Sequence, residues 1–427
     1  MKKSVLLIVS MWLLSGQIFA QRFEWAKGFA SGENVTVVGS VTDSVGNLYI
    51  LGSINFNTCW ENGSRLLPIV PHDNAHDYGD AMIAKISPAG DWVWHKVIHG
   101  NYTNSVPYDI KSLGDTAFAC LIEMPLATWY YYLYYLDTLI NPTWHYGDTS
   151  FLFPDYPMSA QDSYDYAVLA LITFDFDGNV LEQHFLQMSY LDYNGDDIRY
   201  THPSITNPLI TNARPMHPSF AMDGEGNIYL SRWINDRATG GSVVGEYSLR
   251  EGTISAVKFW CDRRMVGVVT LDSSLFSSPQ ILKFSPHFDT LLEGKCVYQS
   301  MHKYIYCYGT HVEMAGNSLY LLINNSPIPG YPNEIIIDSA NGLEFRFDDR
   351  THVTKDIIVK YNTSLETMGM IHVEDSIIDA STFQGKIFSV IEGIAYDIDS
   401  NYLIVSCAPR KNIGGDTMTN LDNSFFL

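Results

Sequence analysis

The chain has 427 residues, 46% hydrophobic and only 17% charged, so it can bury a large core; its 13% aromatic content, with 27 Tyr, favours strands over helices. It carries 26 Lys and Arg against 47 Asp and Glu, a net charge of −21. That balance argues against nucleic acid or an anionic membrane as partner, since both call for a basic surface.

From the N-terminus, Lys2 and Lys3, the apolar run Val5 to Leu14 and the stretch Ser15 to Ala20 read as a secretory signal peptide, residues 1–20. The run is too short for a transmembrane anchor. No cysteine follows it, which argues against a lipoprotein. Residues 21–427 are therefore expected as one domain, secreted or at the cell surface.

Two kinds of strand–turn–strand phrase then alternate along the chain. The first kind is VTVVGSVTDSVGNLYILGS (Val35 to Ser53), PSFAMDGEGNIYLSRW (Pro218 to Trp233) and THVEMAGNSLYLLIN (Thr310 to Asn324). Its turns at Gly46-Asn47, Gly226-Asn227 and Gly316-Asn317 put residues tolerant of positive φ at the reversal. Tyr320 falls one residue later after its turn than Tyr49 and Tyr229, so this copy is expected to need a longer turn or a bulge.

The second kind is DAMIAKISPAGDWVWHK (Asp80 to Lys96), QILKFSPHFDTLLEG (Gln280 to Gly294) and DIIVKYNTSLETMG (Asp356 to Gly369), aligned on Lys85, Lys283 and Lys360. Weaker copies lie at Tyr108 to Glu123, at Leu169 to Phe185 with Thr173 in place of the lysine, and at Val390 to Cys407. One hairpin of each kind makes four strands, the content of one β-propeller blade. The expected fold is all-β, a propeller of four-stranded blades with a basic repeat of about 69 residues, the distance from Trp25 to Trp94.

Anchors at 85, 173, 283 and 360 are 88, 110 and 77 residues apart, so insertions are expected between the hairpins or between blades. Phe23 to Lys27 mirrors Trp92 to Lys96, which suggests circular closure with an N-terminal strand completing the last blade. Asn423 to Leu427 resembles Asp80 to Ala84 and stops before the lysine. Four repeats and the start of a fifth are expected, with the last blade cut short or shared between both termini.

At Asp43, Gly46, Asn47, Tyr49, Gly52, Asp80, Lys85, Gly90 and Trp94 the chain resembles the SBBP-type bacterial β-propeller repeat. The first repeat matches well, the third and fourth in part, the second and fifth in outline. The resemblance implies an exported, often surface-associated bacterial protein. Relatives commonly end in a β-sandwich and a type IX secretion sorting domain, neither of which is visible here. It implies no shared catalytic residues.

Several segments bear on chemistry. TWYYYLYYLDTLINPTWHYGD (Thr128 to Asp148) concentrates aromatic rings that would either cover the side of a blade or stack on a sugar or protein partner. Trp129, Tyr132 and Trp144 are the candidate ligand-binding residues. DYNGDD (Asp192 to Asp197) resembles a calcium-loop fragment, making Asp192, Asn194 and Asp196 candidate Ca²⁺ ligands. DFDGN (Asp175 to Asn179) is explained by its turn. HDNAHD (His72 to Asp77) spaces two histidines as a metal pair would, but its Pro and Gly neighbours read as solvated loop.

The six cysteines show no zinc spacing; Cys296 and Cys307 are either a cross-strand disulfide or buried thiols. No GxSxG or HExxH occurs. The repeated lysines are expected to be scaffold, bonded to an Asp or a turn carbonyl, whereas a functional site should break the repeat. The expectation is an exported, non-enzymatic module that binds a protein or glycan through blade-connecting loops. The alternative is a carbohydrate-active hydrolase or lyase, with acids from several blades converging on a central channel.

Overall fold

A computed structural model of the chain describes residues 29–30, 36–54, 59–60, 80–100, 105–125, 144–146, 149–151, 167–192, 197–198, 218–235, 254–262, 264–270, 277–297, 299–300, 305–327, 333–338, 343–347, 355–374, 387–397, 402–411 and 425–426. Every regular element among them is a β-strand. None of the described residues forms a helix long and apolar enough to cross a membrane.

Four antiparallel meanders organise these strands, each pairing its strands in sequence order. Sheet I contains Thr36–Thr42, Leu48–Ile54, Asp80–Ile86 and Trp92–Gly100. Sheet II contains Val106–Leu113, Ala117–Pro125, Ala167–Asp175 and Val180–Asp192. Sheet III contains Ser219–Met222, Ile228–Asn235, Ser277–Phe284 and Leu291–Cys296. Sheet IV contains Ile305–Ala315, Ser318–Pro327, Lys355–Asn362 and Thr367–Glu374. A further sheet pairs Ile387–Asp397, Tyr402–Lys411 and Phe425–Phe426, so the C-terminal phrase does supply a third strand.

The turns follow from short polar side chains that replace missing backbone partners. Asp43 Oδ1 accepts from the backbone N–H groups of Val45 (3.1 Å) and Asn47 (2.8 Å), and its Oδ2 from the Asn47 side-chain amide (2.7 Å). Asp223 repeats the arrangement with Glu225 and Asn227, and Asp175 with Asp177 and Asn179. Burial works against ionisation of Asp43, but hydrogen bonds from Asn47, Tyr49 and Val45 outweigh it and hold the carboxyl below its usual range. The Asp175 carboxylate is thus consumed by its own turn, as the sequence indicates.

The fourth repeat corrects one expectation. Its Gly316-Asn317 turn has two residues, closing on the Ala315–Ser318 pair, where sheet I needs Asp43 to Asn47 between Thr42 and Leu48. The turn is shorter, not longer, and Tyr320 still lands opposite Lys360 as Tyr49 does opposite Lys85. Glu313, opposite Tyr320 as Val41 is opposite Tyr49, sends its side chain to Lys111 of sheet II.

Alternating strand residues bury both faces of the sheets. Tyr49, Leu51, Ala81 and Ile83 of sheet I pack on Ile110, Phe118, Cys120 and Ile172 of sheet II. The opposite face of sheet II, with Ala119, Leu121 and Leu171, meets Phe220, Leu230, Leu282 and Phe284 of sheet III. Tyr229 and Ile281 then meet Val312, Leu319, Val359 and Tyr361 of sheet IV. Each fully buried large apolar side chain stabilises by roughly 1.5–3 kcal/mol. The first strands of successive sheets lie beside one another, closely enough that a Cβ on Gly39 would sit 3.0 Å from Ile110 Cγ2.

The insertions fall between the second and third strands of each repeat and leave their own sheet. Trp144–Tyr146 pairs with the fourth strand of sheet I, through Ile98↔Tyr146 and His99↔His145. Ile254–Cys261 pairs with the fourth strand of sheet II, through Leu186↔Cys261 and Gln187↔Trp260. Asn333–Asp338 pairs with Gln299–Ser300, just beyond the fourth strand of sheet III. Cys59–Trp60, inserted in the first repeat, pairs with Phe29–Ala30, through Phe29↔Trp60 and Ala30↔Cys59. With Trp25 aligned on Trp94, Phe29 and Ala30 take the places of Ile98 and His99, and the register is the same.

Candidate functional site

Two of the repeated lysines, Lys85 and Lys283, hold neighbouring sheets together. Lys85 Nζ donates to the Phe176 carbonyl in the last turn of sheet II at 3.0 Å. The Tyr49 hydroxyl lies 3.0 Å from Asp43 Oδ2 and 3.1 Å from that same carbonyl. The phenol has one proton and the carboxylate is the stronger acceptor, so the lysine is what satisfies the carbonyl. Lys283 and Tyr229 repeat the arrangement on the Thr363 carbonyl, both at 2.9 Å. A second lysine follows: Lys96 reaches the Gly178 carbonyl at 2.5 Å, and Lys295 reaches Thr367 Oγ1 at 2.9 Å.

Between sheets II and III both lysines are gone. Register places Thr173 where Lys85 and Lys283 stand, opposite Ala119 in place of the tyrosine. His184, opposite Leu171, stands where Lys96 and Lys295 stand opposite Ile83 and Ile281. Phe288 fills the volume, 2% exposed and with its ring 4.9 Å from that of Phe284. It adopts φ 54 to do so. Such backbone costs roughly 1–3 kcal/mol, which burying the ring offsets.

Around His184 the junction gathers ionisable groups from three elements. His184 Nδ1 lies 3.2 Å from Asp262 Oδ2, in the turn of the inserted hairpin. Its Nε2 lies 3.1 Å from Glu182 Oε1, and that oxygen lies 3.3 Å from Nδ1 of His287, in the last turn of sheet III. Asp262 is pinned at φ 47: its N–H donates to the Phe185 carbonyl at 3.1 Å and its Oδ1 accepts from the Phe185 N–H at 3.0 Å. Burial disfavours charge on His184, yet its hydrogen bond to Asp262 and the carboxylates of Glu182 and Asp262 outweigh it and raise its pKa. Burial and Asp262 push the Cys261 thiol strongly up, so it stays protonated. Two imidazole nitrogens and a carboxylate on rigid strands and turns can hold a metal ion or share protons.

A second cluster joins the first strands of three sheets. Ser219 Oγ of sheet III donates to Asp109 Oδ2 of sheet II at 2.5 Å and accepts from the Val312 N–H of sheet IV at 3.1 Å. Phe220 N–H adds a bond to the same Asp109 oxygen at 3.2 Å. Lys111 bridges to Glu313 at 2.7 Å and to Asp109 at 3.7 Å. Burial disfavours the ammonium, but Asp109 and Glu313 outweigh it and raise its pKa. His311 completes the group, its Nδ1 3.5 Å from Ser219 Oγ. Each acid here is committed to an internal donor, the arrangement of a latch.

The candidate residues named from sequence fall differently. Trp144 opens the strand that extends sheet I, opposite Gly100; Trp129 and Tyr132 lie outside the described residues. Asp192 ends the fourth strand of sheet II, opposite Ile254; Asn194 and Asp196 lie outside the described residues, between that strand and its partner Asp197–Ile198. His72 to Asp77 also lies outside them. Cys120 and Cys261 are buried thiols, and Cys296 is a half-buried thiol 3.7 Å from Gln280 Nε2, not half of a disulfide. The His184 junction was readable in sequence: eleven residues beyond the anchor, Lys96 is replaced by His184 in the same repeat that replaces Lys85 by Thr173.

No family model matches the chain, and no curated protein matches it. Among solved structures it aligns with the extracellular domain of a hybrid two-component system of B. thetaiotaomicron, at 8% identity and a TM-score of 0.15, over 94% of this chain and 80% of that one. A likeness that weak does not bear on function. The structure itself defines the class: an all-β protein of several antiparallel sheets.

Proposed function

We propose that the chain is an exported, non-catalytic β-propeller module that binds a protein or glycan partner through its inserted segments. The observation that carries the reading is that the insertions of the second and third repeats join the fourth strand of the preceding sheet, and that of the first repeat joins Phe29–Ala30. Insertions so placed widen the outer margin of the sheets, where a partner has access, and leave the meanders intact. The Phe29–Ala30 strand, paired like the fourth strand of a sheet, supports circular closure of the propeller. The sequence of residues 1–20 supports export to the exterior or the cell surface.

The enzymatic alternative draws on the Asp109, His311 and Glu313 cluster, which combines acids from more than one sheet. Asp109 is 6% exposed and its outward oxygen already receives Ser219 and Phe220. A glycosidase needs two acids that reach the substrate, so this cluster favours the binding reading. Glycan arrays and pull-downs with the full chain, beside a Trp129→Ala/Tyr132→Ala/Trp144→Ala variant, test it. We expect a partner that the wild type retains and the folded variant loses. Turnover of a glycan by the wild type, or a variant that unfolds without losing any partner, overturns it.

A further inference from the structure

We propose that Glu182, His184 and His287 form a binding site for a divalent cation of the zinc class, with Asp262 as the group that orients His184. The argument begins from what the repeat has lost. At the equivalent positions of sheets I and III, Lys96 and Lys295 bring a fixed ammonium to the next sheet. At this junction the lysine is a histidine, and two carboxylates, Glu182 and Asp262, converge on it. The positive charge the scaffold carries elsewhere must come from a proton or from a bound metal.

Geometry favours the metal. Glu182, His184 and His287 each bring one ligand atom to within 4.8 Å of the other two. The two nitrogen–oxygen separations, 3.1 and 3.3 Å, match the edge of a tetrahedron with bonds of ~2.0–2.1 Å, which is about 3.3 Å. His184 Nε2 is buried and has no hydrogen-bond partner, although Glu182 Oε1 is close by. A cation between Nε2 and Oε1 would take a lone pair from each, where two lone pairs alone would repel. Asp262 suits that role: with its Oδ2 accepting from Nδ1–H, Nε2 is left to face a metal, the relation by which carboxylates commonly orient histidine ligands.

The site is also supported and reachable. His184 stands on a paired strand with its ring 5.7 Å from that of Phe288, and Asp262 is fixed by two bonds to Phe185. Glu182 and His287 are 46% and 71% exposed, so a cation can enter from solvent. Two imidazoles and one carboxylate suit Zn²⁺ and its neighbours better than Ca²⁺, which prefers oxygen donors.

The test is calorimetric titration of the full, chelator-treated protein with Zn²⁺. We expect one Zn²⁺ bound at this site, weakened at least tenfold by His287→Ala and by Glu182→Gln, and about 10–100-fold by Asp262→Asn. His287→Ala changes an exposed side chain, and circular dichroism checks that each variant is folded. A His72→Ala/His76→Ala variant separates the other histidine pair. Undiminished binding in that variant supports the proposal. Absence of Zn²⁺ binding by the wild type overturns it, as does binding that folded His287→Ala and Glu182→Gln leave unchanged.

Discussion

Tyr49 and Lys85 stand opposite each other on neighbouring strands of sheet I and converge on one acceptor, the Phe176 carbonyl of sheet II. Lys85 Nζ also lies 5.2 Å from the centre of the Tyr49 ring. The pair recurs as Tyr229 and Lys283 on the Thr363 carbonyl. A tyrosine–lysine phrase in the sequence is therefore an inter-sheet bond in the fold. Lys85→Ala and Lys283→Ala should each lower stability by about 1–3 kcal/mol, the range for bonds to charged groups. Urea unfolding measures it. Loss at one position with no effect at the other would show that the two junctions are not equivalent.

Asp80 is 6% exposed and its Oδ1 has no hydrogen-bond partner. Burial raises its pKa to about 7, against the smaller opposing effect of the Ser105 backbone. Unfolded, the carboxyl would ionise near 3.9. Between these values the folded state binds the extra proton, so stability falls as pH rises from about 4 to about 7. Asp80→Asn should flatten that slope and raise the thermal midpoint at pH 7 more than at pH 5. An equal shift at both pH values would remove Asp80 as the cause.

Gly178 lies under the Trp94 ring. A Cβ there would come within 2.9 Å of Trp94 Cη2 and Cζ2, at φ +77. Gly114 has φ +69 and nothing within 4 Å of a Cβ. Gly178→Ala should destabilise by clearly more than Gly114→Ala, whose loss should stay near the roughly 1–3 kcal/mol of a left-handed non-glycine residue. Thermal melts of the two variants separate the clash from the backbone cost. Equal losses would mean that Trp94 yields freely.

Ser219 serves three sheets with one hydroxyl, donating to Asp109 and accepting from Val312. Ser219→Ala leaves a buried carboxylate oxygen with one donor fewer and a backbone N–H with none. The loss should be about 2–4 kcal/mol, since each buried polar group left unsatisfied costs about 1–3 kcal/mol. Hydrogen exchange at Phe220 and Val312 should rise with it. Unchanged protection at both amides would show that water replaces the hydroxyl.

The strand pattern was legible because each repeat carries its own alternation and its own turn chemistry. Asp43, Gly46 and Asn47 build their turn from bonds within five residues, so local sequence suffices to read it. The function of Lys85 as scaffold was legible because it recurs at Lys283. The length of the Gly316 turn follows from the Ala315–Ser318 pairing, which spacing alone does not give. At the His184 junction the sequence shows the change from lysine to histidine but not the partners Asp262 and His287, which lie 78 and 103 positions away in the chain.

By itself the sequence determined the all-β class, the hairpin pairs and the anchoring lysines, since periodicity and short-range hydrogen bonding are properties of adjacent residues. Only the tertiary structure decided where the insertions go, because their pairing partners are strands outside their own meander. It also decided that Asp109, Ser219 and Glu313 form a latch and that Glu182, His184 and His287 meet. Those groups interact over a few ångströms of space but many residues of chain, a distance no periodicity encodes.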